Sequence, residues 1–336
     1  MRHFGARVSD RYRLDDLGIV VVENELLRIT FLVDQGCDII ELLYKPKDVD
    51  FLWRSPQGVR RRKHFVPTEH NQRPFFDYYE GGWQVLFPHA STATEYAGTN
   101  LGFHGEAWGL PWDFEVLEDR VEQVTVRFGV RTVRMPFYLE RIAVLRRGEP
   151  ILRLHEVVIN EGRKRLEFMW GHHPAFGPPF LDRDSILDAP AKKVLLGEEW
   201  HDWPVDRTGK DHRRLIPDKS NREVMKFLHE LREGWVALTQ PKLGLGVGLV
   251  FDPEVFSYVW LWHEFGYTKE YPWFGRSYVL GVEPHSSLPG ARESGGRLLN
   301  LPGGAKMETD ILAVVYEAPG ISRISRSGKI TPKRGK

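Results

Sequence analysis

Runs of apolar residues separated by polar turns recur along the chain and predict β-strands. The first group comprises residues 19–22, 26–33 and 37–44, joined by Glu23-Asn24-Glu25 and Asp34-Gln35-Gly36. Asn, Asp and Gly between β-rich runs are typical of tight antiparallel connections. The pattern therefore predicts an antiparallel meander at the start of the chain.

Strand-like runs continue through the rest of the chain with few helical patterns between them. The further predicted strands are residues 124–133, 138–145, 151–159, 235–239, 245–251, 255–263, 278–283 and 311–316. Strand signals at both ends with few helices favour one layered β domain. We therefore predict an all-β fold, a large antiparallel β-sandwich with few short helices, forming a single domain over residues 1–322.

Three segments depart from the strand pattern. Residues 65–112 lose the strand period but are rich in aromatic side chains, which favours a functional loop region over disorder. Residues 182–233 are polar and irregular, and a short helix is predicted at 221–231. Residues 323–336 are basic with few apolar side chains, which predicts a flexible tail.

Composition and charge exclude several classes of protein. The chain has 336 residues, 41% of them hydrophobic and 12% aromatic, which is enough for a substantial core. A formal net charge of +1 argues against bulk electrostatic binding of nucleic acid. The single cysteine, Cys37, forms no intrachain disulfide, and no apolar run is long enough for a signal peptide or a membrane span. We expect a cytoplasmic protein without nucleic-acid or membrane partners.

Paired histidines mark the stretch 170–177 as the most informative of the chain. His172 and His173 follow a strand-like run, and Pro174, Pro178 and Pro179 come directly after or near them. Because proline donates no hydrogen bond to a sheet, we expect the strand to stop here. The pair is then placed to present a proton donor to a cleft. The alternative is one core histidine and one surface histidine.

Two further side chains join this candidate site. His104 stands in a His-Gly-Glu-Ala segment, and Glu283 ends the apolar strand 277–282 before a loop that contains Pro284. A partly desolvated carboxylate at such a position suits general-base work. The alternative for Glu283 is a salt-bridged residue at the rim of the sheet. A catalytic metal site is disfavoured, because these residues show no His-x-His or His-x-x-x-His spacing and adjacent strand residues such as His172 and His173 point to opposite faces. The candidate ligands for such a site are His104, Glu106, His172, His173 and Glu283.

With these motifs the chain resembles the aldose 1-epimerase (galactose mutarotase-like) superfamily. The family's first histidine in a His-Gly context is matched by His104-Gly105, its second histidine by His173-Pro174-Ala175-Phe176, and its C-terminal glutamate by Glu283. Two departures mark a divergent branch. The family's Asn-Arg pair is absent from residues 81–88, and Ala175 replaces a tyrosine. Glu264 is the candidate for the family's acidic sugar-binding residue.

The resemblance implies a large β-sandwich with a sugar cleft and no cofactor. It assigns Glu283 as the base that deprotonates the anomeric hydroxyl and His173 as the acid that protonates the ring oxygen, with His104 bonding the ring oxygen or a neighbouring hydroxyl. Further candidates for substrate binding are side chains from the aromatic loop and from the last strands: Trp83, Gln84, Trp262, His263 and Arg276. For each tryptophan, a purely structural place in the core is an equal alternative.

Three functions therefore stay open on the sequence. The first is an enzyme that interconverts the anomers of an aldose. The second is a carbohydrate-binding protein that kept the cleft and lost turnover, which the missing Asn-Arg pair favours. The third is an isomerase or lyase that acts on an acidic or phosphorylated sugar, for which Arg276 is the candidate anion contact. A small-molecule sugar is the expected partner, with the chain as monomer or homodimer.

Overall fold

The computed structural model describes residues 3–60, 74–214 and 224–333. Its strands are, in chain order, β1 (Arg7–Leu14), β2 (Leu17–Glu23), β3 (Leu27–Leu32), β4 (Asp38–Tyr44), β5 (Val49–Asp50), β6 (Trp83–Leu86), β7 (Thr94–Tyr96), β8 (Thr99–Leu101), β9 (Asp113–Asp119), β10 (Gln123–Arg131), β11 (Phe137–Arg146), β12 (Ile151–Asn160), β13 (Leu166–Phe168), β14 (Gly171–Phe176), β15 (Ile186–Asp188), β16 (Lys193–Leu196), β17 (Glu199–Asp202), β18 (Val224–His229), β19 (Trp235–Gln240), β20 (Leu245–Phe251), β21 (Tyr258–Glu264), β22 (Val279–His285), β23 (Leu299–Leu301), β24 (Lys306–Tyr316), β25 (Ile321–Ile324) and β26 (Ile330–Pro332). The described helices are α1 (Pro74–Tyr78) and α2 (Ala291–Ser294), with 3₁₀ turns at Lys45–Lys47 and Ala107–Gly109.

Two antiparallel sheets form the body of the fold. The first has 12 strands in the order β1-β2-β3-β4-β6-β14-β22-β21-β18-β16-β17, with β5 paired to β4. The second has 8 strands in the order β15-β19-β20-β24-β12-β11-β10-β9. The main core lies between them, where for example the rings of Phe31 and Phe128 stand 4.7 Å apart. The predicted all-β sandwich is therefore confirmed, as is the meander at the start of the chain.

Two local predictions are wrong. The segment predicted as a helix at 221–231 contains β18, which pairs with β21 in the first sheet. Backbone pairing with β16 on one side and β21 on the other overrides its weak helical pattern. The strand that carries the paired histidines also does not stop at Pro174, because β14 runs on to Phe176. Its pairs with β22 form at 171, 175 and 176, so the missing N–H of Pro174 falls where that ladder is interrupted.

The segment predicted as a flexible tail is described as far as residue 333 and contains strand structure. Strands β25 and β26 form a hairpin. Ile321 and Ile324 are buried in a third apolar cluster, and Ile330 packs against it. Ser322 and Arg323, between the two buried isoleucines, are exposed, so the basic composition hid a half-buried hairpin. The last residues, 334–336, lie outside the described part of the chain.

The strands at the centre of the first sheet hold the residues of interest on its outer face. Gly171 pairs with His285 and Ala175 with Gly281, a register that places His173 opposite Glu283. Directly opposed residues of an antiparallel pair project from the same face of the sheet.

The same row of side chains continues on both sides of this pair. Gln84 on β6 is opposite His173, Trp260 on β21 is opposite Glu283, and Phe227 on β18 is opposite Trp260. Neighbouring residues such as His172 and Val282 point into the sandwich core instead, because successive side chains of a strand alternate. Five strands therefore contribute one side chain each to a single row on the outer face.

A layer of loops covers this outer face and turns it into a second buried region. Helix α1 places Phe75 over the row, and Trp53, Trp262 and Trp273 pack beside Tyr79. Of these residues, Phe75 and Tyr79 come from the segment 65–112, whose aromatic content favoured a functional loop region. Trp53 and Trp273 lie in other connecting segments, and Trp262 lies on β21. The part of that segment from 65 to 73 lies outside the described residues.

Candidate active site

A small cavity of about 200 Å³ lies between the outer face of the first sheet and the loop layer. Its wall is mostly aromatic on the loop side, and on the sheet side it combines His173 and Glu283 with the apolar side chains of β18 and β21. Pockets for drug-sized ligands are roughly 300–1,000 Å³, so a cavity of this size suits a ligand no larger than a single sugar ring. The lining residues are Phe75, Phe76, Tyr79, Ser91, Thr92, Phe103, His104, His173, Met225, Trp260, Trp262, Glu283 and Pro289.

His173 and Glu283 face each other in this cavity. The Nε2 atom of His173 lies 3.5 Å from Oε1 of Glu283, and both side chains are almost fully buried. The structure thus brings together two of the three residues proposed as catalytic from the sequence. An imidazole and a carboxylate at this separation leave a bound hydroxyl group within reach of both.

The third proposed residue, His104, lines the cavity from the loop layer. Its ring centroid lies 5.7 Å from that of His173 and 4.8 Å from that of Phe75. The backbone of His104 has a φ of +63°, which few residues other than glycine adopt, and its N–H donates to the Ser91 carbonyl at 3.0 Å. This conformation turns the imidazole towards the sheet. Nδ1 of His104 has no hydrogen-bond partner within the described residues, so it is available to a ligand.

Besides His173, a second histidine contacts Glu283. This is His285 on β22, which the sequence did not single out. Its Nε2 lies 3.1 Å from Oε2 of Glu283. Its ring stacks on Trp260 at a centroid distance of 3.7 Å and an angle of 10°. The available signal was the spacing, because residues 283 and 285 of one strand share a face.

Burial keeps the imidazoles in the cavity, and that of His285 beside it, neutral. It lowers the pKa of His173 to about 4 and holds the pKa of His104 and of His285 well below its usual value, with the neighbouring histidines adding to the effect for the last two. Burial and the charge of Glu283 raise the pKa of the Tyr79 hydroxyl well above its usual value. At neutral pH the cavity therefore holds neutral rings and a protonated phenol.

The Tyr79 hydroxyl is a hydrogen-bond partner of His173, and which of the two groups donates depends on the tautomer of the ring. The hydroxyl lies 3.3 Å from Nδ1 of His173. A neutral imidazole has one N–H, and a phenol that donates to Nδ1 leaves that proton on Nε2. Nε2 is the nitrogen that faces Glu283 and the cavity. His173 is then a donor towards a ligand.

His172 lies in the core between the sheets, whereas its neighbour His173 lines the cavity. His172 is fully buried, with Nε2 at 3.0 Å from Oε2 of Glu156. The other oxygen of Glu156 accepts from Nε of Arg141 at 2.7 Å. Although burial alone would raise it, the pKa of Glu156 is lowered to about 2 by His172 and Arg141. This network joins the two sheets behind the cavity.

Trp83 and Gln84 are not found at the cavity. Trp83 is fully buried in the core and donates from Nε1 to Nδ1 of His172 at 3.0 Å. Gln84 lies beside His173 in the row but points towards Glu80, to which its Nε2 donates at 3.0 Å. Trp83 is therefore corrected to a core residue, and Gln84 to a partner of a buried carboxyl. Strand parity, which the sequence did not reveal for this segment, decides both.

Of the three substrate-binding candidates near the last strands, one lines the cavity and two do not. Trp262 lines the cavity, and its Nε1 has no hydrogen-bond partner among the residues described. His263 projects from the opposite face of β21, and Arg276 is exposed and donates to the Trp273 carbonyl at 3.4 Å. Neither lines the cavity. Glu264, the candidate acidic residue, accepts instead from the backbone N–H groups and side-chain hydroxyls of residues 267–277 and so fixes that loop.

A larger cavity of about 360 Å³ lies beyond the loop layer, between Tyr78, Trp108 and Arg134. It contains none of the paired acid and base side chains described above, so the smaller cavity is the candidate active site. Within the described ranges, no three His, Cys, Asp or Glu side chains are grouped to hold a metal ion. The described helices include none with the length and apolarity of a membrane span.

Comparison with known proteins agrees with this architecture. Residues 16–313 match the family described as Domain of unknown function (DUF4432). No curated protein gives a significant match. The fold is similar to that of a proposed aldose 1-epimerase from Klebsiella pneumoniae, with a TM-score of 0.73, 16% identity, and coverage of 94% of this chain and 84% of that chain.

Two further solved structures have the same fold. The Slr1438 protein from Synechocystis has a TM-score of 0.64 and 20% identity, with 92% of this chain and 97% of that chain covered. A galactose mutarotase related enzyme from Lactobacillus acidophilus has a TM-score of 0.62 and 18% identity, with 89% and 98% covered. At these identities the likeness establishes the shared fold. The fold that the resemblance implied is therefore confirmed, at the low identity expected of a divergent sequence.

Proposed function

The chain belongs to the family described as a domain of unknown function, DUF4432, and we propose that it is a carbohydrate-active isomerase that interconverts the anomers of an aldose. The observation that supports this function is the pairing of His173 with Glu283, 3.5 Å apart, inside a cavity lined by aromatic rings. Similar solved structures include a proposed aldose 1-epimerase and a galactose mutarotase related enzyme.

The cavity matches the chemistry of a sugar ring. The C–H faces of a sugar are apolar, and the rings of Phe75, Tyr79 and Trp262 form apolar walls. The hydroxyl rim needs hydrogen-bond partners, and Nε1 of Trp262 and Nδ1 of His104 are buried without one among the described residues. A bound sugar would satisfy both groups, which removes the cost of leaving them unpaired.

Ring opening requires proton transfer at two oxygen atoms of the substrate. Oε1 of Glu283 takes the proton from the anomeric hydroxyl as the bond between the anomeric carbon and the ring oxygen breaks. Nε2 of His173 gives its proton to the ring oxygen, which becomes the hydroxyl of the open-chain aldehyde. The negative charge thus passes from Glu283 to His173, where the hydrogen bond from the Tyr79 hydroxyl at 3.3 Å stabilises it. A neutral imidazole with a lowered pKa acts in this electrophilic way in other isomerases.

Closure of the ring reverses these transfers. Rotation about the bond next to the aldehyde presents its other face to the hydroxyl that was the ring oxygen. His173 takes back the proton from that hydroxyl, and Glu283 returns its proton to the new anomeric oxygen. A general acid and a general base of this kind each contribute roughly 100- to 10,000-fold to a rate. His104 contributes a contact to the ring or to a neighbouring hydroxyl from the opposite wall of the cavity.

Anomer exchange measured by saturation-transfer NMR tests the proposal. The panel contains neutral, phosphorylated and acidic aldoses, and the variants are Glu283→Gln and His173→Asn. The control variant His155→Asn changes a half-exposed histidine whose Nδ1 bonds Asp310 at 2.8 Å, away from the cavity. We expect the wild type and the control to accelerate exchange of at least one sugar, and each cavity variant to lose at least about 100-fold.

The same panel separates the other functions. Tight binding of a sugar without accelerated exchange would contradict the isomerase and support a carbohydrate-binding protein. Turnover of an acidic or phosphorylated sugar to a product other than its anomer would contradict anomer interconversion and support the isomerase or lyase alternative.

A further inference from the structure

The imidazole of His285 is packed tightly on two sides. Its ring lies between the backbone of Gly171 and the indole of Trp260. A Cβ atom added at Gly171 would come within 2.2 Å of Cε1 and Nδ1 of His285. Trp260 is itself held, because its Nε1 donates to the Ser287 carbonyl at 2.9 Å. The ring is fully buried between these groups, and its Nε2 points at Glu283.

The carboxylate of Glu283 is fixed from two sides. Oε2 accepts from Nε2 of His285 at 3.1 Å, and Oε1 faces Nε2 of His173 at 3.5 Å. A Cβ atom at Gly281 would lie 2.3 Å from Oε1, so the carboxylate rests directly over that glycine. One oxygen is thus used for anchoring, and the other is left to face the cavity.

We infer that His285 is a positioning residue for the catalytic base, holding one oxygen of Glu283 through Nε2 so that the other oxygen is presented to the substrate. The inference rests on the proposed function, in which Glu283 is the base. His285 is not among the residues that line the cavity, so it would not touch a bound sugar. Its effect is therefore on the reaction step and not on sugar affinity. Misplacement of a reacting group by about 1 Å costs on the order of 100-fold in rate.

Two substitutions at residue 285 test this role by separating hydrogen bonding from packing. His285→Gln keeps an N–H donor within reach of Glu283, and His285→Leu keeps bulk without a donor. We expect His285→Leu to lower kcat about 100-fold with KM changed less than about twofold, and His285→Gln to stay within about tenfold of the wild-type kcat. Far-UV circular dichroism and thermal melting establish that each variant is folded.

The matched control is His229→Asn. His229 also stacks on an aromatic ring, that of Tyr258 at 4.4 Å, but its Nδ1 lies 3.2 Å from the Ser257 carbonyl and no carboxylate depends on it. We expect this variant to keep the wild-type kcat. A third substitution, Gly171→Ala, displaces the ring of His285 without changing it, and we expect it to lower kcat as His285→Leu does.

A spectroscopic readout covers the case in which the variants fold poorly. In the wild-type protein labelled with ¹⁵N in the imidazole rings, the inference predicts the Nε2–H tautomer for His285 and a change of its signals in Glu283→Gln. An Nδ1–H tautomer, or a wild-type kcat in His285→Leu while the wild type catalyses exchange, would overturn the inference and leave the proposed function standing. A wild type that exchanges no sugar would overturn both.

Discussion

Gly281 lies directly beneath the carboxylate of Glu283, two residues away on the same face of β22. A Cβ atom at Gly281 would come within 2.3 Å of Oε1 of Glu283 and within 3.1 Å of Cβ of Trp262. The absence of a side chain at Gly281 therefore leaves space for the carboxylate of the candidate base. The next side chain on that face after Glu283 is His285, whose Nε2 holds the other oxygen.

Substitution Gly281→Ala is expected to lower kcat by at least about 100-fold, because the added methyl group displaces the carboxylate from its position opposite His173. Overpacking of this kind costs about 1–3 kcal/mol of stability, which leaves the protein folded and measurable. Anomer exchange and thermal melting are measured together. As a control, Gly18→Ala also changes a strand glycine, but its methyl group meets only side-chain atoms at 3.2 Å or more. Full activity in Gly281→Ala would show that the carboxylate does not need this position.

Substitution Trp262→Phe is expected to weaken sugar binding while leaving the reaction step intact. The phenyl ring keeps an apolar wall for the cavity but removes the buried Nε1–H, which has no partner within the described chain. A hydrogen bond contributes about 0.5–1.5 kcal/mol, which corresponds to a roughly 2- to 12-fold rise in Kd. Isothermal titration calorimetry measures the change. Trp200→Phe, which alters a tryptophan that is 44% exposed at the edge of the sheet, should bind as the wild type does.

The free energy of unfolding is expected to fall as the pH decreases from about 6.5 to about 4. Burial lowers the pKa of His173 from 6.5 to about 4, so in this window the unfolded state binds the proton that the native state excludes. Stability then decreases with falling pH, by up to about 3 kcal/mol for this one residue. His104 and His285, with pKa values also lowered by burial, act in the same direction.

Urea denaturation at several pH values measures this dependence. We expect His173→Asn to have a smaller loss of stability between about pH 7 and pH 5 than the wild type, because the titrating group is gone. Equal losses in the two proteins would mean that His173 is not neutral in the native state.

Substitution Glu156→Leu is expected to destabilise the fold by about 3–5 kcal/mol, because it leaves Arg141 buried without its partner. Arg141 and Glu156 are both fully buried, and Glu156 is also the acceptor for His172. The matched control is Glu161→Ala, which removes the partner of Arg131 in an exposed pair and should leave the urea midpoint nearly unchanged. A similar midpoint for both variants would show that the buried network contributes nothing to stability.

Local sequence patterns were sufficient for the fold class and for many of the strands, and they pointed to the three residues His104, His173 and Glu283. Strand alternation and turn chemistry act over a few residues and are visible without the fold. The motifs around the three residues carried the resemblance to the galactose mutarotase-like superfamily, and the structure places all three around one cavity. What these residues catalyse stays a prediction until turnover is measured.

The tertiary structure alone decided which face each side chain occupies and what it meets there. Trp83 and Trp262 look alike in sequence, yet one bonds His172 in the core and the other lines the cavity. His285 becomes visible only when Gly171 and Trp260 are brought to its two sides from other strands. Strand register and long-range pairing set these contacts, and a shift of one residue would exchange the two faces. That information is distributed over residues far apart in the chain, so no local pattern contains it.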